Sequence, residues 1–66
     1  SIDLTASPLD LAAQALAVIR VQEFAGKNHL TVEEREGPYQ RDFILSIPAD
    51  RMNVILWELD LQGLGA

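Results

Sequence analysis

The chain has 66 residues, of which 48% are hydrophobic and 23% are charged, with five basic and ten acidic side chains and no cysteine. This length indicates one small domain, residues 1–66, whose core barely offsets the conformational entropy that folding removes. A formal charge of −5 opposes contact with nucleic-acid phosphates and with anionic lipid, so we expect no nucleic-acid partner. The longest stretch without a charge, between Asp10 and Arg20, is too short to span a membrane, so we expect no direct membrane insertion by this chain.

The first third of the chain predicts a strand followed by a helix. Ile2 and Leu4 alternate with polar residues, which is typical of a short, half-buried strand. Ser7 followed by proline is a common helix start, so we expect a helix over residues 8–25. Gly26 is expected to follow it in the left-handed conformation as a C-terminal cap.

Two further strands and a second helix are expected after this. Leu30 and Val32 alternate with polar residues and predict a second strand, which the Gly-Pro turn at 36–38 ends. A third strand is expected over about 39–47, and a second helix from residue 50 to 61 or 62, before a glycine. The expected core face of the third strand carries Arg41, Phe43, Leu45 and Ile47, and Ile44 is apolar on its other face.

This order of elements predicts an α+β domain of the ferredoxin-like, split β-α-β-β-α type. Both helices then cover one face of a small antiparallel sheet, and a crossover through the first helix carries strand one beside a parallel strand. The last strand of that pattern is missing, because only three residues follow Gly63, so one sheet edge is expected to be open to pairing. The chain starts at Ser1, and we expect it to be excised from a longer chain.

Each helix carries a second apolar stripe, which packing against one sheet does not require. Either the two helices pack these flanks against each other, or the stripes form a dimer or partner surface anchored by a tryptophan. The expected core positions are Leu9, Ala12, Ala13, Leu16, Ile19 and Phe24 in the first helix and Met52, Ile55, Leu56 and Leu59 in the second. The candidate partner interface comprises Val54, Trp57, Leu61, Leu11, Val18 and Ile44.

No pattern in the chain indicates catalysis, a cofactor or a metal. His29 is the single histidine, and no serine has a base at a recognisable spacing. The acids at 33–36 lack the alternate spacing of a calcium loop, and the scattered glycines form no phosphate loop. We expect these acids to pair with arginines across the hairpin and the domain to be non-enzymatic.

The sequence resembles an uncharacterised extracytoplasmic domain of bacterial membrane-anchored lipoproteins and transmembrane anti-sigma factors. The resemblance rests on Ser1-Ile-Asp-Leu-Thr, on Leu9-Asp-Leu-Ala-Ala-Gln-Ala-Leu leading to Gly26, and on Ile47-Pro-Ala-Asp-Arg-Met before Leu56, Leu59 and Gly63. It implies a non-catalytic sensing or protein-interaction domain in the periplasm or at the cell surface, tethered by a segment outside this chain. Such a domain would act by self-association or by binding a protein partner. The chain departs from the family in having one glycine, not two, after the first helix, and in lacking the final strand.

Two other classes share the expected fold. One is a small-molecule-binding regulatory module of the amino-acid-sensing ferredoxin-like type, which commonly has a glycine-bearing turn between its first strand and helix. Residues 5–8, Thr-Ala-Ser-Pro, contain no glycine. The other is a periplasmic assembly domain of secretion or pilus machinery, where an Ile-Pro-Ala junction between strand and helix also recurs.

Overall fold

A computed structural model of the chain describes residues 1–65 and has an α+β architecture. The last residue of the expected domain, Ala66, lies outside the described residues. All the expected strands and helices are present, and a short 3-10 helix precedes the second α-helix. The elements in chain order are β1 (Ile2–Asp3), α1 (Pro8–Lys27), β2 (Thr31–Glu36), β3 (Gln40–Ser46), the 3-10 helix (Ala49–Arg51) and α2 (Met52–Leu61).

The three strands form an antiparallel sheet in the order β1-β3-β2. β2 pairs with β3 from Thr31 opposite Ser46 to Glu36 opposite Arg41. The expectation that strand one lies beside a parallel strand is wrong, because β1 pairs antiparallel with β3. The short turn between β2 and β3 requires these two strands to be antiparallel neighbours, and β3 takes the central place between β1 and β2.

The sequence signals at the start of α1 and after α2 are confirmed. The Ser7 side chain accepts a hydrogen bond from the backbone N–H of Asp10 at 3.3 Å, and Pro8 is the first helical residue. This cap satisfies one of the free backbone donors at the helix start. After α2, Gly63 has a φ of 72°, the left-handed conformation in which glycine ends a helix at little cost.

The end of α1 differs from the expectation. The helix continues through Gly26 to Lys27, and Gly26 therefore lies in the last turn of the helix and not after it. His29 has a φ of 55° and takes the left-handed position instead. Asn28 makes this later end possible, since its side-chain amide and its backbone N–H both donate to the carbonyl of Phe24, at 3.0 and 3.1 Å.

The inward face of α1 is also the reverse of the expected one. Leu11 and Val18 are half-buried, whereas Leu9 and Leu16 are exposed. Within each pair the two residues are apolar and seven positions apart, so the periodicity of the sequence does not predict which pair faces inward. The contact of α1 with β1 determines which row faces inward. The side-chain oxygen of Gln14 accepts a hydrogen bond of 2.7 Å from the backbone N–H of Asp3 in β1. Of the other expected core positions, Ala12, Ala13 and Ile19 are exposed and Phe24 is buried.

The buried core is small and lies where the C-terminal end of α1 meets α2. Phe24, Ile55 and Leu59 form it, and Ile55 is the most deeply buried side chain. The expectation for α2 is therefore confirmed at two positions and wrong at two, because Met52 and Leu56 are exposed. The partly buried hydrophobic residues that pack against this core are Leu30, Leu45, Ile47 and Leu64.

Two arginines hold the ends of the helices together. Arg20 of α1 donates to the backbone carbonyl of Gln62, just after α2, at 2.6 Å. Arg51, just before α2, donates to the carbonyl of Asn28, just after α1, at 3.0 Å. Both bonds satisfy carbonyls that a helix end leaves free, so they fix the position of α2 while its outward side remains uncovered.

Candidate protein-interaction surface

The side of α2 that faces away from the core is apolar. Val54, Trp57 and Leu61 lie there and are 58%, 64% and 66% exposed; we call these three residues the outer stripe. Successive helical residues are rotated by about 100°, which places Trp57 opposite the midpoint between the buried Ile55 and Leu59. α2 is therefore apolar on two opposite sides, of which only one packs within this chain.

α1 adds a second exposed apolar row. Leu9 is 81% exposed, and Leu16 lies on the same side of the helix two turns later. Arg20 follows one turn after Leu16 and bonds the carbonyl of Gln62. The C-terminal end of this row is therefore linked to the end of α2 through the Arg20 side chain. Ile19 is exposed on the neighbouring side of α1.

The structure does not bring the six expected interface residues into one patch. The outer stripe is exposed, so it does not pack against α1 in this chain. Leu11 and Val18 are half-buried on the inward side of α1. Ile44 is partly exposed on the sheet face opposite to that of its neighbours Phe43 and Leu45.

Leu9, Leu16 and Ile19 are the exposed apolar residues that sequence reasoning assigned to the core. No spacing signal could have separated them from the inward row, because each row is apolar at intervals of seven residues. The polar Gln14 lies on the inward side, where the usual pattern predicts an apolar residue. Its hydrogen bond to β1 is the contact that the sequence pattern does not reveal.

A groove lies between α1 and β3. Its volume is about 200 Å³, and it opens to solvent beside Ser1, the residue before β1. Because its lining is mostly aliphatic and aromatic, the groove favours apolar side chains over polar ligands. The lining residues are Ser1, Gln14, Ala17, Val18, Val21 and Phe43.

The hairpin of β2 and β3 carries the expected pairing of opposite charges. Arg41 on β3 contacts Glu34 on β2 at 3.2 Å and also forms an ion pair and hydrogen bonds with Glu36. The hydrogen bond from Arg41, and then its charge, lower the pKa of Glu36, while Glu36 raises the pKa of Arg41. The groups are exposed to solvent, so their contribution is to the order of the hairpin and not to the core.

Residues 1–65 contain no group of three or more histidine, cysteine, aspartate or glutamate side chains that could hold a metal ion. Neither helix in this part of the chain combines the length and the apolar character that crossing a membrane requires. Comparisons with protein-family models, with curated proteins and with solved structures found no match.

Proposed function

We propose that the chain is a non-catalytic protein-interaction domain that acts by self-association through the outer stripe of α2. The observation that carries this proposal is that Trp57, with its neighbours Val54 and Leu61, is exposed directly opposite the buried side of the same helix. A helix that packs on one side only usually carries polar residues on the opposite side, and α2 carries apolar ones there. A second protein surface supplies the missing cover.

The pattern of the outer stripe favours a second copy as the partner. Val54 and Leu61 are seven residues apart, and Trp57 is close to their midpoint. When two such helices pack antiparallel about a twofold axis near Trp57, Val54 of one copy meets Leu61 of the partner subunit. A twofold interface uses the same patch on both copies, and this stripe is complementary to itself in that sense.

The size of the molecule agrees with a partner of this kind. Its accessible surface is 4952 Å². A compact monomer of 7.3 kDa has about 4,200 Å², so roughly 800 Å² is in excess. That excess is similar to the roughly 800 Å² that each partner buries in a standard interface. The radius of gyration, 12.7 Å, likewise exceeds the roughly 11 Å of a compact chain of this length.

We further propose that the fold is ferredoxin-like and that the domain belongs to the extracytoplasmic part of a membrane-anchored regulator. The strand order β1-β3-β2, with β1 parallel to the non-adjacent β2, supports the first proposal. The second rests on the sequence resemblance. It is tested by the gene: a membrane span encoded beside this segment, with a zinc-binding cytoplasmic module beyond it, supports an anti-sigma factor, and their absence contradicts it.

The emission of Trp57 tests self-association directly, because it is the single tryptophan of the chain. On dilution from about 500 to 1 μM we expect the emission maximum to shift to the red as the indole becomes exposed to water. The Leu61→Glu variant is the matched control and should give red-shifted emission at every concentration. A wild-type spectrum that is already that of a water-exposed indole at the highest concentration contradicts the proposal.

A further inference from the structure

Two exposed polar residues of α2, Asn53 and Asp60, follow one side of the outer stripe. Successive helical residues turn by about 100°, so Asn53 and Asp60 lie about 40° and 60° from Trp57 on the same side of it. Val54 and Leu61 lie at similar angles on the other side. In the described part of the chain, no ion pair or side-chain hydrogen bond uses the side chain of Asn53 or Asp60. Both side chains are therefore available to a partner.

The twofold arrangement of two α2 helices brings these polar residues together. Asn53 and Asp60 are seven residues apart, and their midpoint lies within one residue of Trp57, as does that of Val54 and Leu61. A twofold axis near Trp57, perpendicular to two antiparallel helices, keeps each side of the stripe on its own side of the interface. Asn53 of one copy therefore lies beside Asp60 of the partner subunit.

The distance between these two positions suits a hydrogen bond between their side chains. At a rise of 1.5 Å per residue, Asn53 and Asp60 of the partner subunit differ by only about 1.5 Å along the helix axis. With helix axes about 8–10 Å apart, their α-carbons are then about 5–7 Å apart. An asparagine amide donates hydrogen bonds and an aspartate carboxylate accepts them, so the two side chains are chemically complementary.

The same two residues oppose a parallel arrangement of the helices. In a parallel pair, Asp60 lies beside Asp60 of the partner subunit, and the two carboxylates repel each other. Asn53 then lies beside its own copy and has no carboxylate to bond. The polar residues therefore distinguish between two orientations that the apolar residues of the outer stripe permit equally.

We propose that Asn53 and Asp60 form hydrogen bonds between two copies of the chain and thereby fix the antiparallel orientation of the α2 helices. This inference rests on the proposed self-association through the outer stripe. Each bond joins an amide donor to a carboxylate, and the twofold axis makes it twice. The apolar residues supply most of the affinity, and the polar pair supplies specificity, as a single polar residue does in a helical coiled coil.

Cysteine trapping tests the alignment, because the chain has no cysteine of its own. Asn53→Cys and Asp60→Cys are mixed in equal amounts and oxidised in a glutathione buffer, and the disulfides are identified by peptide mass spectrometry. We expect the 53–60 disulfide to exceed the 53–53 and 60–60 disulfides at least tenfold. Identical positions lie about 9–12 Å apart along the axis, which is too far for a disulfide. Gln22→Cys, an exposed position of α1, is the matched control and should form little disulfide.

Dissociation constants from sedimentation velocity test the hydrogen bonds themselves. Asn53→Asp places two carboxylates together and should raise the dissociation constant at least thirtyfold. Combining Asn53→Asp with Asp60→Asn reverses the pair, and this double variant should return to within about fivefold of wild type. Gln22→Glu adds the same charge at an exposed position of α1 and should change the constant less than threefold.

The outcomes separate this proposal from the self-association on which it rests. Predominant 53–53 and 60–60 disulfides overturn the proposed orientation while leaving self-association intact. Equal weakening by Asn53→Asp and Gln22→Glu, or a double variant as weak as Asn53→Asp, overturns the role of the polar pair. If the cysteines at 53 and 60 crosslink no faster than the cysteine at 22, the outer stripe does not associate and both proposals fail.

Discussion

Replacing Trp57 with alanine separates the contribution of this side chain to an interface from its contribution to the monomer. A tryptophan buries at most about 250 Å², and Trp57 is 64% exposed, so about 160 Å² remains for a partner to cover. At about 25 cal/mol per Å² this area corresponds to about 4 kcal/mol for each copy. The part already buried in the monomer, about 90 Å², corresponds to no more than about 2 kcal/mol.

The two quantities are measured on the same protein at different concentrations. The dissociation constant comes from sedimentation velocity over a dilution series, and the free energy of unfolding comes from urea titration well below that constant. We expect Trp57→Ala to raise the dissociation constant at least hundredfold, since about 1.4 kcal/mol corresponds to tenfold. The free energy of unfolding of the monomer should fall by no more than about 2 kcal/mol.

The matched control is Tyr39→Ala, which removes another exposed aromatic side chain, at the hairpin turn. It should leave the dissociation constant unchanged. The reasoning is refuted if Trp57→Ala lowers the stability of the monomer by several kcal/mol without changing association. It is also refuted if both substitutions weaken association equally, because the effect would then not be specific to α2.

Three further changes test particular contacts. Val54→Glu and Leu61→Lys should each abolish association, whereas the double variant should recover part of it if the helices pack antiparallel; equal loss in all three variants, measured by light scattering, contradicts that arrangement. Gly26→Ala should raise the free energy of unfolding by about 0.5–1 kcal/mol, because Gly26 is inside α1 and an added methyl group meets nothing within 4 Å; a loss of stability in urea titration would instead indicate a left-handed glycine cap. Because the hydrogen bond from Arg41 lowers the pKa of Glu36, this pair stabilises the fold above the ordinary glutamate pKa, and the stabilisation is lost as the pH falls through the lowered value. Thermal unfolding between pH 7 and 2 should therefore show a smaller loss on acidification for Glu36→Gln than for wild type, and identical curves would exclude the contribution of this pair.

The sequence predicts the order of elements because local signals at their boundaries are strong. The Ser7 cap before Pro8 and the glycine at position 63 each act within a few residues, and α1 begins and α2 ends where these residues predict. The hairpin register is likewise local, since charges on neighbouring strands meet across it. Local chemistry of this kind needs no knowledge of the rest of the fold.

The sequence alone does not predict which side of each helix faces the core. α1 has two apolar rows, and the inward row is selected by the contact of Gln14 with β1, which is distant in sequence. The end of α1 passes Gly26 because Asn28 supplies the cap, a competition between two neighbouring signals. In α2 the sequence shows both apolar stripes, but only tertiary contacts decide that Ile55 and Leu59 are buried and that Trp57 is exposed.

If a second copy of the chain covers the outer stripe of α2, the protein is a dimer at high concentration. Multi-angle light scattering after size exclusion, over a dilution series of the 66-residue protein, measures its molar mass directly. We expect twice 7.3 kDa at high concentration, falling towards 7.3 kDa on dilution. A constant mass of 7.3 kDa up to millimolar concentration would contradict self-association.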